Sequence, residues 1–375
     1  MANMMDYHVW RGDVSVAYAP WNEVDSLIAA TLSYQNYPPE PLLLREAAML
    51  LPHPPDAEIN FVKDSRALLS AAGMTERFSE LRLHHFVSHT DPDRDMQFAA
   101  VTFDIPDGTH YIAFRGTDNT IVGWREDFNM AFESPIPAQA AAIDYLTRVA
   151  GEVVGPLIVG GHSKGGNLAV YAAAHAEEAI QGRIRTVYSF DGPGLDDATM
   201  ASEGYANIAR RIRSFIPQQS VVGLLMTYHP DYTVVKSDGV GLFQHDSFTW
   251  QVLGTDFIAV TELDVSSQLV DHTVHEWLSR VSKEQRKLFI DTIFDILEAS
   301  GASTIKELLR DVPRHAPAIL KALQKVDLET AKMVISLWGQ FVHIGATNII
   351  ELVRQRLNPD TPERLQGDAN HGTES

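Results

Sequence analysis

Short apolar runs alternate with longer segments of helical periodicity over the first two thirds of the chain. Runs rich in branched and aromatic side chains predict strands, whereas apolar or small residues three and four positions apart predict helices. This alternation predicts an α/β fold with a mostly parallel central sheet and helices on both faces. The predicted strands cover residues 81–89, 97–105, 109–114, 156–159, 186–190, 211–216, 233–236 and 247–252, and the predicted helices cover residues 23–32, 138–153 and 167–176.

The pattern changes at about residue 266, beyond which it is helical. Ser282 and Gln285 form a capping-box pattern that opens a helix, and helical periodicity continues to about residue 356. The polar segment 358–375 is typical of a disordered tail. We therefore expect an α/β core with an N-terminal helical extension over residues 1–265, a helical lid or appendage over 266–357, and that tail.

Composition and charge narrow the class of protein. The 375 residues are 45% hydrophobic and 21% charged, which is typical of a globular protein. A formal net charge of −19 argues against a nucleic-acid partner and against strong attraction to anionic lipid. The absence of cysteine excludes disulfides, thiolate metal sites and a cysteine nucleophile.

Two segments bear on membranes and targeting. The apolar stretch 331–353 contains Lys332, Gln340, His343 and Asn348, which predicts a buried or interfacial helix and not a transmembrane segment. The first residues show neither the basic nor the apolar region of a signal peptide. A cytoplasmic location is therefore the expectation.

One predicted strand leads directly into a Gly-rich turn and a helix of small residues. Gly161, Ser163 and Gly165 in this turn match G-x-S-x-G. A serine on such a turn has an exposed hydroxyl, and the following helix directs its first N–H groups at whatever is bonded to the serine. A Gly-rich turn can also bind phosphate, but the sequence lacks the P-loop order Gly-Lys-Ser/Thr. Ser163 is therefore the predicted nucleophile, which requires a base, an acid and oxyanion donors.

The oxyanion donors are predicted from the elbow and from one further motif. The backbone N–H of Lys164, the residue after the serine, is the first candidate. The stretch Phe-Arg-Gly-Thr, residues 114–117, followed by Trp124 and Asp127, resembles the corresponding segment of class 3 lipases. That resemblance implies Thr117 as the second donor. The Lys164 side chain is expected to extend to solvent, the alternative being a cation that favours an anionic substrate.

His245 and His229 are the two candidates for the base. Both follow the serine, which is the order in α/β-hydrolases. His245 is favoured because it follows a glycine-bearing loop. Its position before a Trp-containing segment also resembles that of the histidine in class 3 lipases. His229 stays the alternative base.

The acid departs from the class 3 lipase pattern. The segment where those lipases carry an aspartate holds Gln218, Gln219 and Ser220 here. Asp191 follows the strand after the elbow helix, and its segment resembles the acid-bearing turn of the pancreatic lipase family. An aspartate there is suited to accept from a histidine Nδ1–H, although Asp before Gly-Pro is also a common turn residue.

A wider resemblance covers about four fifths of the chain. Segments from about Asp6 to about Ser300, among them FRGTD, GHSKGGNLA, FDGPG and QHDSFTWQV, resemble the bacterial Mbeg-like family of α/β-hydrolase fold, related to class 3 lipases. The resemblance implies that fold and a hydrolase chemistry. Ser220 belongs to the matching segments, and packing is its expected role.

The leading hypothesis is a serine hydrolase that cleaves a carboxylic ester through an acyl-enzyme, with Ser163, His245 and Asp191 as a triad. No metal or cofactor is implied. The expected partner is a small-molecule or lipid-like ester, and transient contact with a membrane surface stays open, as does the oligomeric state. A thioesterase or acyltransferase with the same triad, and a non-catalytic binding module on the same fold, are the alternatives.

Overall fold

A computed structural model of the chain describes residues 2–52, 60–94, 96–117, 125–127, 129–130, 134–302, 311–337, 339–340 and 343. Within these residues most strands form one sheet, and two short ones form a separate hairpin. The strands are β1 (Leu42–Leu43), β2 (Arg82–Asp91), β3 (Met96–Asp104), β4 (His110–Phe114), β5 (Leu157–His162), β6 (Ile184–Phe190), β7 (Ile212–Pro217), β8 (Tyr232–Val235), β9 (Val252–Leu253), β10 (Asp256–Phe257) and β11 (Ala259–Val260).

The main sheet has its parallel strands in the middle and antiparallel strands at both sides. Across the described residues its nine strands follow the order β1-β2-β3-β4-β5-β6-β7-β8-β11. Neighbours from β4 to β8 pair in parallel, whereas β1 to β4 and the pair β8–β11 are antiparallel. The prediction of an α/β fold with a largely parallel central sheet is therefore confirmed. The carboxyl ends of β4 to β8 share one edge of the sheet.

Helices cover both faces of this sheet. Side chains alternate between faces along a strand, and in β4 Tyr111 and Ala113 join one apolar cluster while Ile112 and Phe114 join another. The first cluster contains side chains of α1 to α4, and the second contains side chains of α5, α6 and α9. The helices of this part are α1 (Met4–Arg11), α2 (Glu23–Leu32), α3 (Leu44–Leu50), α4 (Asn60–Ala72), α5 (Pro137–Glu152), α6 (Lys164–His175), α7 (Glu178–Gln181), α8 (Asp197–Met200) and α9 (Glu203–Ile208).

The C-terminal helices have a core of their own. They are α10 (Val265–Arg280), α11 (Lys283–Ala299) and α12 (Val312–Leu323), and residues 328–337 are also helical. Their apolar cluster includes Phe289, Phe294 and Leu337. None of the described helices is long and apolar enough to cross a membrane. Residues 344–375, which include the predicted tail, lie outside the described residues.

The predicted strand at 247–252 is wrong. Residues Ser247–Thr249 form a 3₁₀ turn, and only Val252 joins a strand. The Asp246 carboxylate accepts from the Phe248 N–H at 3.0 Å. This backbone N–H therefore bonds to a side chain and not to a neighbouring strand. Helices α1, α3, α4 and α7 to α9 were not predicted, although an Asn3–Asp6 capping box opens α1.

Candidate active site

Ser163 lies between the end of β5 and the start of α6, on a tight turn. Its φ is 59° and its ψ is −135°, a conformation that costs free energy for any residue with a side chain. A Cβ at Gly161 would lie 2.3 Å from the carbonyl carbon of Gly165, and one at Gly165 would lie 2.1 Å from the carbonyl oxygen of Phe114. Both glycines are therefore required by the close backbone approach in this strand-turn-helix element.

Asp191 lies beside Ser163 at the same edge of the sheet. It follows β6, whose Phe190 pairs with His162 of β5. The side chain is fully buried, and its Oδ2 lies 2.6 Å from Nδ1 of His245. Its Oδ1 accepts from the Ser220 hydroxyl at 2.6 Å and from the Gly223 N–H at 3.1 Å. These donors fix the carboxylate and satisfy it away from water.

The turn that carries His245 is braced by two glutamines. This 3₁₀ turn, Gly241–His245, follows β8. Gln219, from the loop after β7, donates its backbone N–H to Gln244 Oε1 at 2.8 Å and accepts from the Gly241 N–H at 2.6 Å. The buried Trp250 indole donates to the Gln244 carbonyl at 2.8 Å. The histidine is therefore held by its backbone as well as by Asp191.

His162, the residue before the serine, supports the same turn. Its Nε2 donates to the His245 carbonyl at 2.8 Å, so the neutral ring must accept at Nδ1, which lies 3.2 Å from the Tyr34 hydroxyl. Phe61 stacks on the ring with centroids 5.3 Å apart. Burial first, and the nearby His245 imidazole second, lower the pKa of His162 to about 3. The ring therefore stays neutral in the folded protein at neutral pH.

Replacing His162 by glutamine is expected to reduce the acid sensitivity of folding. A histidine titrates at about pH 6.5 in the unfolded chain, and at about 3 in the fold. Between these values the unfolded state binds the extra proton, so falling pH lowers the free energy of unfolding by about 1.4 kcal/mol per unit. Urea unfolding should show a wild-type loss about 2 kcal/mol larger than the variant's between about pH 6.5 and about pH 5.

The exposed His89 gives a matched control for this measurement. The His89→Gln variant should follow the wild-type pH dependence. Equal acid sensitivity in wild type and His162→Gln would contradict the buried neutral ring.

The segment after β4 packs against the elbow. A Cβ at Gly116 would lie 3.0 Å from Cβ of Ser163, so Thr117 begins next to Ser163. The Thr117 hydroxyl donates a hydrogen bond to Asp127 Oδ2. Burial raises the pKa of Asp127 to about 6, while the Lys164 cation and the Thr117 hydroxyl oppose the rise. Trp124 of the predicted motif lies outside the described residues.

The Lys164 side chain is buried, so the expectation that it extends to solvent is wrong. Its Nζ donates to Glu126 Oε2 at 2.8 Å and lies 3.5 Å from Asp127 Oδ1. Glu126 is fully buried and also accepts from the backbone N–H groups of Gln97 at 3.0 Å and Ala138 at 3.1 Å. The ion pair explains the departure, because a fully paired cation can be buried and an unpaired one cannot.

Lys164→Met is expected to lower the free energy of unfolding by about 3–5 kcal/mol, because it leaves the Glu126 carboxylate buried without its cation. Urea unfolding at neutral pH measures the loss. Adding Glu126→Gln should restore only part of it, because Gln97 and Ala138 both donate N–H groups to the present carboxylate and an amide has one oxygen to accept them. A loss below about 1 kcal/mol in the single variant would show that the pair contributes no more than an exposed one.

The structure brings some of the predicted residues together and separates one. Asp191 and His245 are joined, and Ser163 lies on the adjacent strand end. Over the described part of the chain, the Ser163 hydroxyl makes no hydrogen bond. His229 is not brought to Asp191, because its Nδ1 lies 2.6 Å from the Tyr205 hydroxyl.

Several residues of this site were missed from the sequence. Ser220 was assigned to packing, yet it donates to Asp191, and Gln219 and Gln244 were given no role in holding the histidine turn. Glu126, the partner of Lys164, was not singled out. The signal available was the polar run Gln218–Ser220 directly after a buried strand. Polar side chains at the carboxyl end of a parallel strand commonly serve a site there.

Comparisons with known proteins match the chain to a family model and to solved structures. A family model described as Mbeg1-like matches residues 72–295. Among solved structures, the chain is similar to one described as "Rhizomucor miehei lipase propeptide complex, native", at 17% identity and a TM-score of 0.32, covering 66% of this chain and 76% of that one. A search of curated proteins found no match.

Proposed function

The chain belongs to the Mbeg1-like family, and on that premise we propose that it is a serine hydrolase of α/β-hydrolase type that cleaves a carboxylic ester through an acyl-enzyme. The observation that carries the proposal is the 2.6 Å contact between His245 Nδ1 and a fully buried Asp191, at the sheet edge where Ser163 occupies its turn. A buried carboxylate that accepts from Nδ1–H leaves Nε2 as the basic nitrogen of a neutral imidazole.

The proposed reaction assigns one task to each group. The Ser163 oxygen attacks the ester carbonyl carbon while His245 Nε2 takes its proton. The backbone N–H groups of Thr117 and Lys164 stabilise the oxyanion, and Asp191 stabilises the imidazolium. The carbon–oxygen bond to the alcohol breaks, and the alcohol leaves with the proton from His245. Water then repeats the sequence on the acyl-enzyme and releases the acid.

The surroundings of the site support an apolar substrate. Val240 and Phe243, on the loop and turn that lead to His245, are 74% and 79% exposed.

The helical region contacts the segment next to the proposed oxyanion donors. Arg125, near that segment, pairs with Asp291, Asp295 and Glu298 of α11. These contacts support a role for the helical region 266–357 as a lid or as one wall of an acyl pocket.

Fluorophosphonate labelling of the full chain tests the proposal. We expect stoichiometric labelling that peptide mapping assigns to Ser163, together with hydrolysis of p-nitrophenyl esters, with an optimum that reports the acyl length the pocket accepts. An unlabelled, folded and inactive protein would overturn the proposal and favour a binding module. Labelling with faster turnover of acyl thioesters would leave the triad in place and favour a thioesterase.

A further inference from the structure

A cluster of three histidines and an aspartate lies far from the candidate active site in the fold. His110 begins β4 and pairs with Leu157 at the start of β5, whereas Ser163 follows the end of β5. The cluster therefore occupies the opposite edge of the parallel strands. It opens to a cavity of about 620 Å³ whose lining includes His84, His85, Asp104 and His110.

The centre of the cluster is one oxygen of Asp104. Its Oδ1 lies 2.7 Å from His84 Nε2 and 2.6 Å from His110 Nδ1. The ligand atoms of these three residues all lie within 4.8 Å of one another, and all three side chains are partly buried. Two imidazoles and a carboxylate that converge in this way are a common donor set for zinc.

The donors and acceptors around the cluster leave imidazole lone pairs directed at the Asp104 carboxylate. His110 Nε2 lies 3.0 Å from the Val154 carbonyl, which can only accept, so Nε2 carries the hydrogen and a neutral ring turns its Nδ1 lone pair to Asp104. Donation to a backbone carbonyl is also the usual way in which a metal-binding imidazole is oriented.

The same reasoning applies to His84 through its neighbour. His85 Nε2 lies 2.7 Å from a Glu152 carboxylate oxygen and therefore donates to it. Its Nδ1 must then accept from His84 Nδ1, 2.5 Å away, which leaves the His84 Nε2 lone pair directed at Asp104. With neutral rings, the two contacts of Asp104 lack a hydrogen. A divalent cation between these atoms would bind both imidazole lone pairs and the carboxylate.

A local irregularity of β2 brings two of these rings together. Consecutive strand residues normally point to opposite faces. Here the register of β2 against β3 shifts between His84 and Val87, and His85 has a φ of 56°. The rings of His84 and His85 consequently lie 4.5 Å apart. β-Bulges commonly redirect side chains at functional positions, and a histidine at positive φ carries a conformational cost.

The geometry points to a binding site for one divalent transition-metal ion of the zinc class, with His84 Nε2, His110 Nδ1 and Asp104 as protein ligands and a further position open to the cavity. Zn²⁺ binds imidazole nitrogen and carboxylate oxygen at about 2.0–2.2 Å, so ligand atoms lie about 3.3 Å apart around a tetrahedral ion. To bind the ion, the two contacts of Asp104, at 2.6 and 2.7 Å, need to lengthen by several tenths of an ångström, and the two imidazole nitrogens, which lie within 4.8 Å of each other, need to come to about 3.3 Å. The ion would join β2, β3 and β4 and is independent of the proposed hydrolase chemistry.

Metal titration of the full chain, free of any histidine tag and dialysed against a chelator, tests this site. We expect one equivalent of Zn²⁺ to bind by calorimetry with a micromolar or tighter dissociation constant, and Co²⁺ to give visible bands of a low-symmetry site. Zn²⁺ should also raise the urea midpoint of the wild type, since it binds the folded state. His84→Gln and His110→Gln should each weaken binding at least about tenfold.

His89→Gln, an exposed histidine on the same strand, is the control and should bind as the wild type does. Circular dichroism confirms that each variant is folded. The proposal is overturned if the wild type binds no stoichiometric Zn²⁺ or Co²⁺, a result that does not depend on any variant and would leave the cluster as a hydrogen-bond network. It is also overturned if the folded His110→Gln variant binds with wild-type affinity.

Discussion

Ser163→Ala is expected to lower kcat for ester hydrolysis by about 10⁶-fold and to abolish fluorophosphonate labelling. The reason is chemical, because alanine offers no oxygen to form the acyl-enzyme. Residual catalysis from oxyanion stabilisation alone is all that would remain. Rates with p-nitrophenyl esters and the mass of the labelled protein measure both effects. The fold should be unaffected, since the Ser163 hydroxyl makes no hydrogen bond across the described residues.

A matched serine variant keeps this result specific. Ser336 is exposed in the C-terminal helical region, and Ser336→Ala should label and turn over as the wild type does. Persistence of labelling or of hydrolysis in Ser163→Ala would assign the nucleophile elsewhere. The strained turn at Ser163 would then have only a structural role.

The parallel part of the fold was predictable because its signals are local. Strands buried on both faces appear as continuous apolar runs, and such a run at 156–159 marks β5. Helix α2, Glu23–Leu32, has the predicted bounds because Asn22 caps it with a reciprocal capping box. By contrast, the 247–252 segment has a strand-like composition, and the Asp246 side chain and the Trp250 bond to Gln244 turn it into a 3₁₀ turn.

Part of the candidate site depends on residues that are close together in the sequence, and part depends on residues that are far apart. The elbow of Ser163 is encoded within a few residues, so its glycines could be recognised from spacing. The Asp191–His245 contact joins residues 54 positions apart, and the sequence could offer these two only as candidates. Their chemical roles stay predictions. The Glu126–Lys164 pair, 38 positions apart, was missed because no pattern predicts which carboxylate a buried lysine will meet.

The loop after β7 holds the proposed acid, Asp191, in place. The loop after β7, where class 3 lipases would carry the aspartate, holds Ser220 and Gly223, and both donate to Asp191 on the preceding strand end. The loop that lacks the aspartate of the lipase pattern therefore supplies hydrogen-bond donors, and these orient the Asp191 carboxylate, which follows the preceding strand. A module without catalysis has no evident need of a carboxylate fixed by two donors and directed at a histidine Nδ1.

Asp191→Asn is expected to lower kcat/KM by about 10⁴-fold with the fold intact. The amide keeps the size of the carboxylate, but its NH₂ group cannot accept from His245 Nδ1–H. The amide therefore favours the tautomer that carries hydrogen on Nε2 and removes the base. It also takes away the negative charge that stabilises the imidazolium. Hydrolysis rates and the rate constant of fluorophosphonate labelling should fall together, while the urea midpoint checks that the protein is folded.

Ser220→Ala separates orientation of the acid from its charge. It removes one hydrogen bond to the Asp191 carboxylate, an interaction worth about 1.5–3 kcal/mol, and should lower kcat/KM by about tenfold to a hundredfold. Because the carboxylate and its charge remain, the loss must be smaller than in Asp191→Asn. If Asp191→Asn instead keeps activity within about tenfold of wild type, Asp191 only holds the turn that carries His245 in place. His245 would then act as a base without an acid partner.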